Sequence, residues 1–367
     1  MPPSAFMLQA LEEAARALGA VSPNPAVGAV LVRDGHIVGQ GHTQPPGQAH
    51  AEVMALRDAG EAARGATLYC TLEPCAHQGR TPPCTNALIA AGVARVVYAI
   101  DDPDPRVAGS GAETLRAAGM AVEAGDGAAE SALLLEGYLH QRRTGRPFVV
   151  VKYAASLDGR IAAASGDARW VSGEPAREWS HGLRTRVDAI LVGSGTVLTD
   201  DPELTARPIT PTGAHQPLRV VLDARGRTPA TARVLTGAPT LVATTAASPS
   251  TWRTGLTAAG AEVEVLPAAT GGVGVDLTAL LSLLGAHGIL TLLVEGGGTV
   301  LGALFDERLV NRVYAVIAPV VIGAVDAPAA VAGRGATLMR EAPRLRDVTV
   351  ERLGDDTLIG GVPVWPA

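Results

Sequence analysis

The sequence predicts an α/β protein of two domains. Three observations predict it: the length, the repeated exchange of strand-period for helix-period patterning, and a charged, Gly- and Pro-containing break near the middle. At roughly 150 residues per domain, 367 residues suffice for two buried cores. With 47% hydrophobic and 18% charged residues, the chain carries enough apolar surface to fold and is not a disordered, solvating polymer. The break is Arg142-Arg143-Thr144-Gly145-Arg146-Pro147, between a helical run and the apolar strand Phe148–Val151. It sets the expected domains at 1–145 and 146–367.

Residues 5–18 place Met7, Leu8, Leu11, Ala14, Ala15 and Leu18 at helical spacing, with Ser4 as a cap. The period then changes to two strands, Val27–Val32 and His36–Gly41, joined by Arg33-Asp34-Gly35, whose Asp-Gly pair signals a hairpin. A helix from about Ala51 to Gly60, a strand Ala66–Thr71, a helix Thr85–Ala91, a strand Ala94–Ile100 and helices Ala112–Ala118 and Ala128–His140 complete the first half. In the second half, strands Ala189–Val192, Arg219–Leu222, Thr240–Ala243, Glu262–Leu266, Ile289–Val294 and Val313–Ile317 alternate with helical stretches. Val348–Leu353 and Thr357–Val362, about Gly354-Asp355-Asp356, read as a closing hairpin. The uncharged run Leu277 to Val294 contains Gly285, His287 and Gly288, so it reads as helix, turn and strand, not as a membrane span.

Charge excludes some functions. Thirty basic against 36 acidic side chains divide as 10 against 15 over residues 1–145 and 20 against 21 over 146–367, so neither half is a basic nucleic-acid footprint. The N-terminus has no basic region followed by an apolar core, and the expected location is the cytoplasm. Three cysteines, Cys70, Cys75 and Cys84, fall within fifteen residues and suggest a metal site, not a disulfide framework. Of the basic residues 29 are Arg and one is Lys152, which singles that lysine out.

The informative constellation of the first half is His50-Ala51-Glu52, then Pro74-Cys75 and Cys84. One imidazole and two thiolates suit Zn²⁺, and each ligand sits at the start of an expected helix, where the dipole favours the thiolate. Three protein ligands leave a position for water, whose pKa zinc brings towards about 7. Glu52 is placed to take that water's proton and pass it to a ring nitrogen and then to a leaving amine. The alternative is a closed structural site with Cys70 as fourth ligand. The apolar strand Leu68-Tyr69-Cys70 instead favours a buried, inert thiol. H-x-E…P-C-x₂-C is the zinc nucleobase deaminase pattern, from which this chain departs by eight residues between its cysteines. That insert, Ala76 to Pro83, brings His77, Arg80 and two prolines to the metal site and suits a phosphorylated substrate.

The second half has no G-x-G-x-x-G. It has instead the apolar strand Ile289–Val294 followed by Glu295-Gly296-Gly297-Gly298-Thr299, which is either a backbone phosphate site at a helix N-terminus or a tight turn.

Ser22-Pro23-Asn24-Pro25-Ala26-Val27-Gly28, Gly47-Gln48-Ala49-His50-Ala51-Glu52 and the run Thr71 to Cys84 closely resemble the deaminase half of the bifunctional riboflavin-biosynthesis deaminase/reductase family. Lys152 to Ala162, Trp170-Val171-Ser172-Gly173 and Val192 to Arg207 resemble its reductase half, so the likeness spans nearly the whole chain. The resemblance implies a cytidine-deaminase-like three-layer α/β/α N-terminal domain and a dihydrofolate-reductase-like α/β C-terminal domain. It implies one zinc ion, NADPH and a homodimer through the reductase domain. The implied reactions are hydrolytic deamination of 2,5-diamino-6-(5-phosphoribosylamino)pyrimidin-4(3H)-one, then reduction of the resulting uracil's ribosyl chain.

By the resemblance, Asn24, His42, His77 and Arg80 line the deaminase pocket around Glu52 and zinc. Ala154, Trp170, Thr196, Asp200 and the Gly296, Gly297, Gly298, Thr299 turn contact the nucleotide, and Arg184, Leu204, Arg207 and Glu295 the reductase substrate. Opening the sugar and delivering hydride to C1′ calls for an acid beside the departing ring oxygen. Lys152 is the candidate, with an ordinary ion pair to Asp158 or Glu295 as its other reading. Arg184 and Arg207 read either as a bidentate phosphate clamp or as solvated surface side chains. The rival functions are a nucleic-acid base deaminase with an accessory α/β domain, which 3% aromatic residues and the acidic first half oppose, and a non-catalytic zinc scaffold.

Overall fold

Helix α1 (Ala5–Ala17) starts where the Ser4 hydroxyl accepts the Met7 amide at 3.2 Å, while Ser4 itself donates to Asp126. It leads into β1 (Gly28–Arg33) and β2 (His36–His42), a hairpin closed by Asp34 (φ 52°) and Gly35 (φ 77°) as the Asp-Gly pair requires. There follow α2 (Ala51–Ala59), β3 (Thr67–Cys70), α3 (Cys84–Ala91), β4 (Arg95–Tyr98), α4 (Ser110–Ala117), β5 (Ala121–Ala124), α5 (Ala128–Leu134) and α6 (Glu136–Thr144). The computed structural model describes residues 2–104, 107–207 and 215–366, and the chain divides into units of residues 1–146 and 147–367.

The first unit holds one sheet of order β2-β1-β3-β4-β5, antiparallel up to β3 and parallel beyond it. Glycines set its layers. A Cβ at Gly28 would fall inside the backbone of Ala10 and Ala14, so α1 lies directly on that face. Gly39 and Gly41, paired with Leu31 and Ala29 on the other face, meet Ala55 and Met54 of α2. Helices thus cover both faces of the sheet, the three-layer arrangement expected.

Three expectations for this unit need correction. The edge strand β5 was not expected, because Ala121-Val122-Glu123-Ala124 is mostly exposed and carries no apolar alternation. The single helix expected over 128–140 is two, separated at Leu135, which leaves the helical region (φ −94°, ψ 10°). Helix α6 then continues through Arg142, Arg143 and Thr144 until Gly145, left-handed at φ 73°, caps it, so the first half of the expected linker is helix.

The second unit comprises β6 (Phe148–Ser156), α7 (Glu174–Arg184), β7 (Ala189–Gly193), α8 (Ser194–Asp200), β8 (Leu218–Leu222), β9 (Thr240–Thr244), α9 (Ser250–Ala258), β10 (Glu262–Val265), α10 (Leu277–Ala286), β11 (Thr291–Val294), α11 (Gly298–Asp306), β12 (Arg312–Ala318), β13 (Arg344–Leu353) and β14 (Asp356–Val364). Its sheet has the order β10-β9-β8-β7-β11-β6-β12-β14-β13, parallel from β10 through β12 and antiparallel in the closing hairpin. Alternation along β6 serves two cores. Val149 and Val151 pack with Leu280, Leu284, Leu301 and Leu304 of α10 and α11, whereas Phe148 and Val150 pack with Val197 and Leu256 of α8 and α9. Among the described residues no helix is long and apolar enough to cross a membrane.

Candidate metal centre and nucleotide cleft

His50 is the N-cap residue of α2, extended at φ −78°, ψ 169°, and Cys84 is the first residue of α3. Cys75 departs from expectation, since it lies on a loop and begins no helix. It gains the same benefit through space, because the Cys84 amide at the start of α3 donates to its sulfur at 3.4 Å. The loop is anchored by Glu73, which sequence reasoning missed. Its buried carboxylate accepts the Gly109 and Ala112 amides at 2.9 and 3.0 Å, at the start of α4. Pro74 is packed so closely there that a side chain at Gly111 would strike its carbonyl.

His50 Nδ1 stands 3.6 Å from Cys75 Sγ and 3.4 Å from Cys84 Sγ. A tetrahedral zinc ion with Zn–S near 2.3 Å and Zn–N near 2.0–2.1 Å would set nitrogen and sulfur roughly 3.5 Å apart, so the triad fits that ion. Among the described residues, this trio forms the group of His, Cys, Asp and Glu ligands close enough to hold a metal. Cys70 is not in it. It is fully buried on β3, where burial pushes its thiol up, which sets the closed four-ligand reading aside.

Electrostatics favour a thiolate at Cys75. A hydrogen bond from Cys84 and another with His50 hold its pKa well below the ordinary thiol range despite burial, and Cys84, the donor, is raised correspondingly. Glu52, 4% exposed in the first turn of α2, has its carboxyl pushed up to about 7 by burial and by the nearby Cys75 anion.

The expected substrate residues take varied places. Asn24 sits in the turn after α1, its amide donating to Val21 O. His42 is held at Nδ1 by Glu13, 2.9 Å away on α1 and nearly buried. His77 is half-buried, with no hydrogen bond at Nδ1 among the described residues, and Arg80 is exposed. A hollow of about 800 Å³ beside His50 is bounded by Gln44, Arg57, Thr81 and Asn86 instead. Thr81 Oγ1, of its lining, lies 3.4 Å from His50 Nε2, and Glu52 is not part of that lining.

In the second unit a cleft of about 1140 Å³ lies over the carboxyl ends of β6, β7, β8 and β11, where open parallel sheets bind ligands. Lys152, Ala154, Thr196, Asp200, Glu295 and the 296–299 turn all line it. Gly297 is the N-cap residue of α11, and a Cβ there would sit 3.7 Å from Thr196 Oγ1, so the two expected nucleotide segments touch. Lys152 forms no ion pair within 4.0 Å among the described residues. Asp158 instead accepts the Ile322 and Gly323 amides, and Glu295 binds Arg184. Burial lowers the Lys152 pKa, with Arg184 adding to the effect and Glu295 opposing it.

Arg184 commits its Nε and Nη2 to Glu295 at 3.1 and 2.6 Å, and its Nη1 to the Thr205 carbonyl. Arg207 is exposed and pairs with Glu203 at 2.8 Å, Leu204 is buried at φ 52°, and Trp170 is 70% exposed beneath the Arg177 guanidinium, outside the cleft lining. Sequence reasoning missed Ser194, Arg225 and Arg227 of the lining, because arginines without a known strand end look like any solvated arginine.

A zinc-type triad beside a buried carboxylate in one unit, and a nucleotide-sized cleft on a parallel sheet in the other, define a two-part enzyme with a zinc-binding deaminase half. Comparisons with known proteins agree. Residues 2–100 match the cytidine and deoxycytidylate deaminase zinc-binding region, and residues 147–359 match the RibD C-terminal domain. The chain is 41% identical to the riboflavin biosynthesis protein RibD of Escherichia coli, over 96% of this chain and 97% of that one. It is 40% identical to the Bacillus amyloliquefaciens protein, over 98% and 95%. Among solved structures, Acinetobacter baumannii RibD superimposes with a TM-score of 0.88 at 39% identity. The Thermotoga maritima diaminohydroxyphosphoribosylaminopyrimidine deaminase/5-amino-6-(5-phosphoribosylamino)uracil reductase does so at 0.86 and 34%, each likeness covering 98% of both chains. The chain belongs to the RibD family and is a bifunctional deaminase and reductase of riboflavin biosynthesis. A likeness spanning both units displaces the base-deaminase and scaffold alternatives.

Proposed function

We propose that the first unit hydrolyses the exocyclic amine of 2,5-diamino-6-(5-phosphoribosylamino)pyrimidin-4(3H)-one, and that the second reduces 5-amino-6-(5-phosphoribosylamino)uracil with NADPH. The observation that carries the reading is the His50, Cys75, Cys84 triad with Glu52 buried in the first turn of the helix that His50 caps, in a unit separate from the Lys152 cleft. Zinc on the triad supplies a water acidic enough to act as nucleophile at neutral pH. Glu52, with a pKa of about 7, takes one proton at its carboxylate and gives it to the pyrimidine ring nitrogen, then takes a second from the hydroxyl added to the ring and gives it to the amine, which departs as ammonia as the carbonyl forms. His42, steadied by Glu13, together with Asn24, His77 and Arg80, binds the phosphoribosyl portion.

In the second unit NADPH supplies the hydride. The glycine turn and α11 N-terminus hold its diphosphate, while Ala154, Thr196 and Asp200 position the nucleotide. Trp170 belongs to the same surface through its neighbour Arg169, whose Nη2 donates to the Asp200 carbonyl. Lys152, made a readier proton donor by burial, protonates the sugar oxygen as the ring opens. Arg184, Leu204, Arg207 and Glu295 form the substrate end. The enzyme works as a homodimer through this unit, where Val348 and Val350 of β13 stand exposed, and in the cytoplasm, whose reducing conditions keep Cys75 and Cys84 as ligands.

The test uses Glu52→Gln and Lys152→Met in the full-length protein, with ammonia release and NADPH oxidation assayed separately on their own substrates. The first substitution should remove ammonia release by about a hundredfold or more and spare reduction, and the second should do the reverse. Loss of both activities in either variant at unchanged zinc content would refute the division of labour.

A further inference from the structure

The insert Ala76 to Pro83 is tied together at its base. The Cys84 amide donates to Cys75 Sγ at 3.4 Å, and the Thr85 amide donates to the Cys75 carbonyl at 3.2 Å. The eight residues between the cysteines therefore leave the metal centre and return to it as a closed loop. On the returning side the Gly79 amide donates to the Thr81 carbonyl at 3.2 Å. Pro82 and Pro83, whose rings restrict the backbone, then lead into α3. Thr81 stands between that turn and the prolines, with its hydroxyl oxygen 3.4 Å from His50 Nε2.

The two ring nitrogens of His50 have different surroundings. Nδ1 faces the sulfurs of Cys75 and Cys84, at 3.6 and 3.4 Å, and is the nitrogen that fits the metal. A ligating nitrogen carries no proton, so the single proton of the neutral ring sits on Nε2. The Thr81 hydroxyl is the acceptor there, and among the described residues no other group hydrogen-bonds that nitrogen. Gln44 borders the same hollow, but its amide donates to the His42 carbonyl at 3.0 Å.

His50 needs an external partner. As the N-cap residue of α2 its side chain makes no capping hydrogen bond, so its own helix does not hold the ring. An acceptor on the distal N–H of a metal-binding imidazole fixes its tautomer and rotation and makes the opposite nitrogen a stronger ligand.

We propose that Thr81 is a positioning residue of the metal centre, accepting a hydrogen bond from His50 Nε2 and so keeping Nδ1 turned towards the cation. The eight-residue insert thereby supplies support for the ion that a two-residue spacing between the cysteines has no loop to provide. The inference rests on the zinc reading of the triad and concerns how tightly the ion is held.

Zinc affinity of the full-length protein is measured by competition with a chromophoric chelator, for the unsubstituted chain and for Thr81→Val and Thr81→Ser. Valine keeps the branched shape without the acceptor, and serine keeps the acceptor without the methyl. Thr81→Val should weaken zinc binding by about tenfold to a hundredfold, and Thr81→Ser should recover most of that loss. Hydrogen exchange in β1 and β3 at saturating zinc should be the same in all three proteins. Faster exchange in Thr81→Val would make the residue a structural one and overturn the proposal. Unchanged zinc affinity in Thr81→Val would show that water in the hollow serves Nε2 equally well, with the same consequence. Equal weakening in both variants assigns the effect to loop shape and also overturns it. An unsubstituted protein that binds no zinc overturns the metal reading and the proposal with it.

Discussion

Replacing Glu295 by glutamine should destabilise the second unit in a pH-dependent way. The Glu295 and Arg184 side chains are 10% and 16% exposed and meet at 2.6 Å. Burial alone would push the Glu295 carboxyl up. Arg184 and then Lys152 overcome that and bring it from its ordinary 4.5 to about 2. At 1.36 kcal/mol per pKa unit, that shift corresponds to about 3 kcal/mol of stability, comparable with the 3–5 kcal/mol typical of removing one partner of a buried pair. Because the folded-state pKa is the lower one, this stability is fully present above about pH 4.5 and lost as pH falls towards 2. Glu295→Gln, which cannot titrate, should therefore cost about 3 kcal/mol at pH 7 and progressively less below pH 4.5. All four tryptophans, Trp170, Trp179, Trp252 and Trp365, lie in the second unit, so urea unfolding followed by tryptophan fluorescence reads that unit alone. A difference from the unsubstituted protein that is the same at pH 3 and pH 7 would refute the reasoning. So would recovery of no stability when Arg184→Met is added to Glu295→Gln.

Two further outcomes are expected. Stripping zinc with a chelator should abolish ammonia release while NADPH oxidation persists, because the triad and the Lys152 cleft belong to different units. Stoichiometric zinc should restore the lost activity, and parallel loss of both activities would contradict this. Gly28→Ala should lower the stability of the first unit by about 3 kcal/mol or more, since the added methyl meets helix backbone that cannot yield as a flexible side chain would. Thermal unfolding of residues 1–146 followed by hydrogen exchange would show it, and an unchanged midpoint would count against α1 resting on that strand.

The metal centre was legible because its ligands are chemically rare and lie within 35 residues of one another, so composition and spacing narrowed the possibilities to one chemistry. The hairpin at Asp34-Gly35 and the cap at Ser4 were legible for a similar reason, each being a local rule satisfied by adjacent residues. Strand β5 was not, since a polar edge strand carries no periodic signal until a neighbour pairs with it. Nor was the anchoring of Cys75, whose helix N-terminus belongs to Cys84 nine residues on and whose loop is pinned by Glu73 to α4.

Local chemistry alone determined that this chain carries a soft-ligand triad of one histidine and two cysteines, a carboxylate two residues after that histidine, a glycine turn before a helix and a single lysine. Only the tertiary structure decided which charges meet. Among the described residues Arg184 is spent on Glu295, 111 residues away, Lys152 stands in the cleft without an ion pair, and Arg225 and Arg227 at the end of β8 form none. The reason is that such partnerships follow from strand order in the nine-stranded sheet, and neighbouring positions in the sequence do not encode which strands will lie side by side.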